Sequence, residues 1–152
     1  DAARGAGIRV VHPRLGVVLG EGGGALARML PPFRLGLGAR IGSGRQWMSW
    51  VSLTDAVGAL RTLATQDGPA AGPVNVVAAP VTNAEFTDTL GRVLHRPTVL
   101  PLPAFALRAV YGRMAEETLI GGQRAVSRRL GEMGIELAYP GLEEALREEL
   151  RD

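Results

Sequence analysis

Hydrophobic and polar positions along the chain follow strand-like and helix-like periods in alternation. Runs rich in β-branched or apolar residues predict strands over Ile8–Val11, Trp47–Leu53 and Val74–Ala79. Apolar residues at helical spacing follow the second and third of these runs and predict helices that open at Thr54 and at Thr82. Strands that alternate with helices are typical of an α/β fold.

Local signals refine the helix predictions. The pattern Thr82-x-x-Glu85 is a capping box, in which each side chain accepts a hydrogen bond from the other residue's backbone. Pro31-Pro32 is expected to stop a short helix over Ala25–Leu30, because proline lacks the amide hydrogen of a helix interior. Glycine recurs through Phe33–Arg45 and predicts a long mobile loop there.

The last third of the chain carries weaker patterns. It predicts a brief strand over Thr98–Leu100, a helix from Pro103 to about Gly112 and further helical stretches to Gly134. A last strand is expected over Ile135–Tyr139, and an amphipathic helix over Leu142–Leu150 closes the chain.

The amino-acid composition excludes several kinds of catalytic and metal-binding chemistry. All 17 basic residues are Arg, so a lysine base, a Schiff base or a phosphate-loop lysine cannot be built from these residues. The absence of Cys excludes disulfides, zinc ribbons and thiol catalysis within the 152 residues, and two His are too few for a His-rich metal site. The sequence therefore offers no predicted catalytic residue and no predicted metal ligand.

Net charge and hydropathy limit the classes of binding partner that the chain can have. The net charge is only +2 and the Arg residues are spread along the chain, whereas nucleic-acid binding needs a clustered basic face. No run of about 18 uncharged apolar residues exists, so no membrane span is expected. The first residues, DAARGAGIRVV, lack the segments of a secretion signal. We expect a cytoplasmic protein with a small-molecule partner, and neither a nucleic acid nor a membrane as partner.

The Gly-rich segment Gly20–Ala25 fits the spacing G-x-G-x-x-A between a strand and a helix, where a dinucleotide fingerprint would lie. That fingerprint expects an acidic residue about 20 positions later to hold the ribose. Residues 22 to 54 contain none. A flexible turn is the favoured interpretation.

Arg45, Gln46, Trp47 and Trp50 form the most suggestive polar and aromatic cluster. A guanidinium and a carboxamide at the end of a Gly-rich loop can grip a carboxylate or a phosphate. The two Trp are three positions apart, so in one strand they point to opposite faces and one of them can face a cleft. A core Trp beside a surface Arg is an equally weighted interpretation.

His12, Pro13 and Arg14 close the first predicted strand, where α/β folds present residues to ligands. A single histidine at such a place is more often structural than a base. Arg14 is interpreted as an anchor that orders loops through hydrogen bonds to backbone carbonyls.

Three long strings carry a resemblance to a known family, namely PRLGVVLGEGGGALARMLPPFRLGLGARIGSGRQWMSWVSLTDAVGAL, VNVVAAPVTNAEFTDTLGRVLHRPTVLPLPAFALR and LGEMGIELAYPGLEEAL. They resemble an NAD(P)-dependent epimerase-like family, which is a branch of the extended short-chain dehydrogenase/reductases. The strings cover nearly the whole chain in the family's order, and GSGRQWMSW, PVTNAEF and LHRPT are specific together.

The resemblance also implies what this chain lacks. Such families bind NADP or NAD through an N-terminal Rossmann unit, and most of the wider superfamily pairs a catalytic Tyr with a Lys four residues later. Neither feature is present, and the chain begins with Asp rather than Met, so it resembles the C-terminal half of a longer protein. Residues 1–24 would then be the last part of the Rossmann-like core, and residues 25–152 the substrate-binding and C-terminal region.

Residue by residue, the resemblance places His12, Pro13 and Arg14 beside the nicotinamide of the intact parent. It places the GSGRQ segment, with Arg45 and Gln46, at the border of the substrate cleft. The leading hypothesis is the substrate-binding half of an NAD(P)-dependent epimerase or reductase that uses NADP or NAD in the parent, with no cofactor expected for this chain alone. The alternative is a non-catalytic binding or oligomerisation module, for which a homodimer is the natural assembly.

Overall fold

The computed structural model describes residues 2–66, 71–98 and 122–151. Its helices are α1 (Ala2–Gly5), α2 (Gly24–Arg34), α3 (Leu53–Thr65), α4 (Asn83–Val93), α5 (Arg128–Glu132) and α6 (Leu142–Glu149). Its strands are β1 (Val11–Leu15), β2 (Val17–Leu19), β3 (Trp47–Met48), β4 (Trp50–Ser52), β5 (Gly72–Val76) and β6 (Val81–Thr82). The predictions for Thr98–Leu100 and for Pro103 to Gly112 extend into or lie within a part of the chain outside these residues.

Parallel pairing organises the centre of the fold. β1 runs parallel to β5, with Val11 opposite Gly72 and Leu15 opposite Val76, and β2 runs parallel to β4. The amide of Val17 donates to Ser49 O at 2.8 Å and the amide of Ala78 donates to Trp50 O at 2.7 Å. β4 therefore lies between β2 and the residues that follow β5. β1 and β5 pair directly with each other, whereas the segments that continue them lie on opposite sides of β4.

The first strand is displaced from its predicted position over Ile8–Val11 and contains Pro13. Val10 O accepts from the amide of Gly72, and the amide of Gly16 donates to Val76 O. Because ladder bonds alternate along a strand, this parity directs the nitrogen of Pro13 away from β5. Proline therefore interrupts no bond of the β1–β5 ladder, which is why the strand tolerates it.

Two buried clusters cover the two faces of the strands. Successive residues of a strand point to opposite faces, and accordingly Trp50 belongs to one cluster and Val51 to the other. The Trp50 cluster packs against α2, α4 and α6, while the Val51 cluster packs against α3, α5 and Ile135. The architecture is helices on both faces of mainly parallel strands, in agreement with the predicted α/β class.

The prediction that Pro31-Pro32 stops the second helix is wrong. α2 continues to Arg34, and the carbonyls of Pro31 and Pro32 accept from the amides of Leu35 at 3.2 Å and Leu37 at 2.9 Å. The fixed φ of proline is compatible with helical backbone, so the two prolines remove amide donors from the helix without ending it. Burial of Leu30 and Phe33 on either side of them holds this last part of the helix on the core.

The helix starts lie close to the positions predicted from the sequence. The Thr82–Glu85 capping box forms as predicted, and hydrogen bonds from the backbone and hydroxyl of Thr82 lower the pKa of Glu85 below its ordinary value. The prediction that Thr54 caps the helix that follows it is wrong: the helix begins at Leu53 and its cap is Ser52, whose Oγ accepts from the amide of Asp55 at 3.0 Å. Thr54 lies inside the first turn.

Irregular backbone replaces the strand predicted over Ile135–Tyr139. Asp55 holds this segment in place, since its carboxylate accepts from the amide of Ala138 at 2.7 Å and from that of Tyr139 at 3.1 Å. The same carboxylate accepts the Ser52 hydroxyl at 2.9 Å and is only 6% exposed. Asp55 therefore connects the start of α3 to the chain that leads into α6.

A glycine permits the closest approach between strands. A Cβ added to Gly16, between β1 and β2, would lie 2.7 Å from Ser49 O. We expect Gly16→Ala to lower the free energy of unfolding by about 1–3 kcal/mol, because the backbone of Ser49 cannot move without breaking the pairing of β2 and β4. Urea denaturation measures this change.

Gly58→Ala is the matched control. Gly58 is exposed within α3 and a Cβ there would meet no atom within 4 Å. Alanine at this position is expected to raise the free energy of unfolding by about 0.5–1 kcal/mol, because a helix interior favours alanine over glycine. If Gly16→Ala proved as stable as the unmodified chain, the close contact with Ser49 would not constrain the fold.

Candidate functional site

A cleft of about 700 Å³ opens where β1 and β5 separate. The carboxyl ends of both strands border it, as in open α/β folds in which ligands bind beyond the carboxyl ends of the strands. Its lining residues are Arg14, Leu15, Gly16, Val17, Ala25, Met29, Gln46, Trp47, Met48, Ser49, Asn75, Val77, Asn83, Gly122, Gln123 and Ala125.

The cleft gathers residues that the sequence placed in separate motifs. Arg14, Gln46 and Trp47 all line it, although Arg14 comes from β1 and the other two precede or begin β3. His12, Pro13, Arg45 and Trp50 do not belong to the lining. His12 and Pro13 are exposed on β1, and Arg45 is exposed beside Gln46. The predicted cofactor and substrate residues thus divide into cleft residues and neighbours of the cleft.

The two Trp residues have different surroundings. Trp50 is 0% exposed, and its Nε1 donates to Ala79 O at 2.9 Å. Such a side chain has no free surface for a ligand, so in this structure its place is in the core. Trp47 is 37% exposed and lines the cleft. A break between β3 and β4 separates the two residues, so they do not lie on one continuous strand as the sequence predicts.

The Gly-rich segment before Trp47 is tied to the start of α4. The amide of Asn83 donates to Gln46 O at 2.9 Å and that of Ala84 donates to Gly44 O at 3.0 Å. The Gln46 carboxamide donates to Ile41 O at 3.0 Å. The expectation of a mobile loop throughout Phe33–Arg45 is therefore wrong for its last residues, because the amides of the first turn of α4 hold them.

Residues 122–126 form another side of the cleft. The Ser49 hydroxyl donates to Gln123 O at 2.6 Å and accepts from the amide of Ala125 at 2.9 Å. The Arg124 guanidinium lies over the Trp47 ring, 4.8 Å from its centroid. This arrangement is a cation–π contact that steadies the exposed indole at the edge of the cleft.

The polar lining favours a ligand that accepts hydrogen bonds. Arg14 brings a positive charge, and carboxamides come from Gln46, Asn75, Asn83 and Gln123. Among the described residues, the lining includes neither Asp nor Glu. An anionic molecule on this surface meets the positive charge of Arg14, while the carboxamides can donate or accept hydrogen bonds.

Sequence reasoning missed Asn75, Asn83, Gln123 and Arg124. Asn83 belongs to the PVTNAEF string that carried the family resemblance, so that string was the available signal. Nothing local distinguishes the other three from ordinary surface residues, and only the tertiary structure brings them to the cleft. A second cavity of about 450 Å³ lies between Val77–Pro80 and the segment from Val126 to Pro140, and it contains none of the predicted site residues.

Within the described residues, no group of three or more His, Cys, Asp or Glu could hold a metal ion. The helices seen in this part of the structure are too short or too polar to cross a membrane. The Gly20–Gly24 segment forms a turn before α2, whose first helical turn has no acidic residue.

Comparison with known proteins gives matches along almost the whole chain. Residues 102–149 match the family described as a domain of unknown function, DUF1731. An epimerase family protein of Mycobacterium bovis is 51% identical over 145 residues, which are 95% of this chain and 48% of that protein. The human epimerase family protein SDR39U1 is 44% identical over 95% of this chain and 49% of its own length.

A solved structure extends these matches to the fold. The crystal structure of human SDR39U1 with NADPH superposes with a TM-score of 0.86 at 44% identity, and covers 93% of this chain and 48% of that one. The chain is therefore similar to epimerase family proteins from bacteria and from human. It matches the C-terminal half of the SDR39U1-like proteins and spans about half the length of the curated relatives.

The epimerase-family fold is also found in more distant structures. A nucleoside-diphosphate sugar epimerase of Corynebacterium glutamicum has a TM-score of 0.68 at 31% identity, with 97% of this chain covered and 27% of that one. These matches confirm the family that the three sequence strings resemble. They also confirm the C-terminal part of an extended short-chain dehydrogenase/reductase as the fold class.

Proposed function

We propose that the cleft is the substrate-binding wall of an NAD(P)-dependent epimerase or reductase. The cofactor would be held mainly by residues outside this chain. The observation that carries the proposal is the convergence of Arg14, Gln46 and Trp47 on one cleft at the carboxyl ends of β1 and β5. The NADPH in the human SDR39U1 structure supports a nicotinamide cofactor for the parent protein.

The exposure of β1 supports the proposal that another part of the parent protein covers this strand. Parallel strands are normally covered on both faces, yet His12, Pro13, Arg14 and Leu15 are all exposed in this chain. The remaining edge of β1 pairs with no strand among the described residues. In the proposal, the rest of the parent protein covers this strand and brings the cofactor beside His12, Pro13 and Arg14.

The described residues offer only part of the contacts that a dinucleotide needs. Arg14 offers a charge to an anionic group, but the turn at Gly20–Gly24 lacks a nearby acid for a ribose, since Glu21 pairs with Arg34. A bound nicotinamide would supply hydride transfer. The chain's own part is to orient the substrate, with Trp47 as an aromatic wall, Gln46 and Arg14 as polar contacts and Arg45 near the rim.

The cleft would lie across the proposed boundary between residues 1–24 and 25–152. Arg14, Leu15 and Val17 come from the first region, while the Gln46, Asn83 and Gln123 sides come from the second. Substrate would thus be held between the end of the Rossmann-like core and the C-terminal region. This division explains why neither region alone completes the wall.

Fluorescence titration with NADPH tests the proposal. We compare this 152-residue chain with a full-length parent that includes the N-terminal half found in its relatives. The chain should bind NADPH at least about 100-fold more weakly than the parent, since most cofactor contacts lie outside it. Equal affinity would contradict the proposed division of roles.

An oligomerisation module is the second candidate, favoured by the exposed apolar residues of β1 and its surroundings. Ile8 is 59% exposed and Leu15 is 45% exposed. If this surface joins two copies, the chain alone elutes as a homodimer in size-exclusion chromatography, and the full-length parent, in which the surface is covered, does not dimerise through it.

A further inference from the structure

The side chain of Asn83 is a polar group held almost entirely inside the protein at the wall of the cleft. It is 6% exposed and borders the cleft space. Its Oδ1 accepts from the amide of Ile41 at 2.7 Å. Its Nδ2 has no acceptor in the part of the chain that the structure describes. No buried side-chain nitrogen or oxygen there lacks a partner, so this nitrogen keeps contact with open space.

The carboxamide cannot exchange its two ends. A flip would direct the hydrogens of Nδ2 at the amide hydrogen of Ile41, so two donors would face each other. The backbone is fixed as well, because the Asn83 amide donates to Gln46 O at 2.9 Å and Thr82 caps the helix. The Asn83 oxygen is therefore held at the Ile41 amide, and Nδ2 is the end of the carboxamide that has no partner among the described residues.

Arg14, which also lines the cleft, can only donate hydrogen bonds, and neither Asp nor Glu is among the lining residues that the structure describes. Met29, Met48 and the Trp47 ring add apolar surface. A ligand suited to this wall carries an oxyanion on a ring or a short apolar body, and an ammonium group is disfavoured.

We propose that Asn83 is a specificity-determining residue that donates, through Nδ2, to an oxyanion of the substrate, a carboxylate or a phosphate ester. The inference rests on the proposed function, since it assigns the cleft to the substrate. It adds the chemical class of that substrate and a residue that recognises it.

Asn83→Asp is the discriminating variant. Asp keeps an oxygen for the Ile41 amide and suits the first turn of a helix, and circular dichroism of the variant checks that the fold is retained. It replaces the donor with a negatively charged acceptor. Benzoate serves as the anionic probe and benzylamine as the cationic probe, each titrated into the 152-residue chain and followed by Trp fluorescence and ligand-observed NMR.

The unmodified chain should bind benzoate in preference to benzylamine. Asn83→Asp should weaken benzoate binding at least about tenfold, because a charge-assisted hydrogen bond is lost and a repulsion is added. Gln66→Glu is the matched control, since it adds the same charge at an exposed position outside the lining and leaves Asn83 in place. It should weaken benzoate binding by no more than about threefold, the screened effect of an exposed charge.

Any of the following results would overturn the inference. Benzoate does not bind the unmodified chain, or it binds no better than benzylamine, or the two variants lose benzoate affinity equally.

A parallel NADPH titration of the full-length parent separates the two sources of an oxyanion, which are the substrate and the cofactor. If Asn83→Asp weakens NADPH and leaves benzoate unchanged, the oxygen belongs to the cofactor and the substrate assignment is wrong. Tight NADPH binding by the chain alone would instead contradict the proposed function and leave the benzoate comparison to decide on Asn83.

Discussion

Asp55→Ala is expected to lower the free energy of unfolding of this chain by about 2–4 kcal/mol. The substitution removes the acceptor of the Ala138 and Tyr139 amides at once, and both amides then lose their hydrogen bonds in a partly buried site. It also removes the acceptor of the buried Ser52 hydroxyl. Urea denaturation measures the loss, and hydrogen exchange at the amides of Ala138 and Tyr139 locates it.

Asp88→Ala provides the comparison for Asp55. Asp88 is exposed on α4 and accepts one long bond, from the Thr98 hydroxyl at 3.4 Å. Its removal should change the free energy of unfolding by less than about 0.5 kcal/mol. Similar losses in the two variants would show that the carboxylate of Asp55 does not hold the segment before α6.

Trp50→Ala should cost about 3–5 kcal/mol of stability, the range for removing a large aromatic side chain from a core. Trp50 is fully buried in the cluster that joins α2, α4 and α6, and its loss also leaves Ala79 O without a donor. Thermal or urea denaturation followed by circular dichroism measures the effect, since fluorescence changes with the substitution itself.

Trp47→Ala is the comparison for Trp50→Ala. The Trp47 side chain is partly exposed, and its described ring contact is with Arg124. Its removal should lower stability by about 1–3 kcal/mol, less than the removal of Trp50, because about a third of the Trp47 surface is already exposed, while it weakens binding of an aromatic probe such as benzoate. If Trp50→Ala instead left stability intact and abolished probe binding, the assignment of Trp50 to the core would be wrong.

Local hydrogen-bonding patterns were predictable from the sequence. The Thr82–Glu85 capping box and the amphipathic helix that begins at Leu142 both appear where the sequence placed them. Both depend on residues three or four positions apart, so the information lies within one helical turn. Long-range partners were not needed to recognise them.

Features that depend on distant partners were not predictable. Pro13 is compatible with a strand only because its nitrogen faces away from β5. The Ile135–Tyr139 segment is apolar enough for a strand, but the carboxylate of Asp55 satisfies its amides instead. In each case the deciding contact comes from a residue more than 50 positions away, which no local pattern contains.

The candidate site shows the same division. Arg14, Gln46 and Trp47 were proposed from their types and their places at the ends of strands or loops, and the structure brings them to one cleft. Whether they bind cofactor or substrate stays a prediction. The sequence did not single out Asn83, and its proposed role as a donor rests on a tertiary contact, in which its oxygen accepts from the Ile41 amide.

The position of Pro13 has a consequence for self-assembly. Exposed edges of β-structure invite copies of a chain to stack into fibres through continuous ladders. A neighbour that approached β1 from its open side would find no amide hydrogen at position 13, so each such contact would lose one hydrogen bond, worth about 0.5–1.5 kcal/mol. The ring that costs the native ladder nothing thus acts against fibrillar aggregation whenever this edge is uncovered.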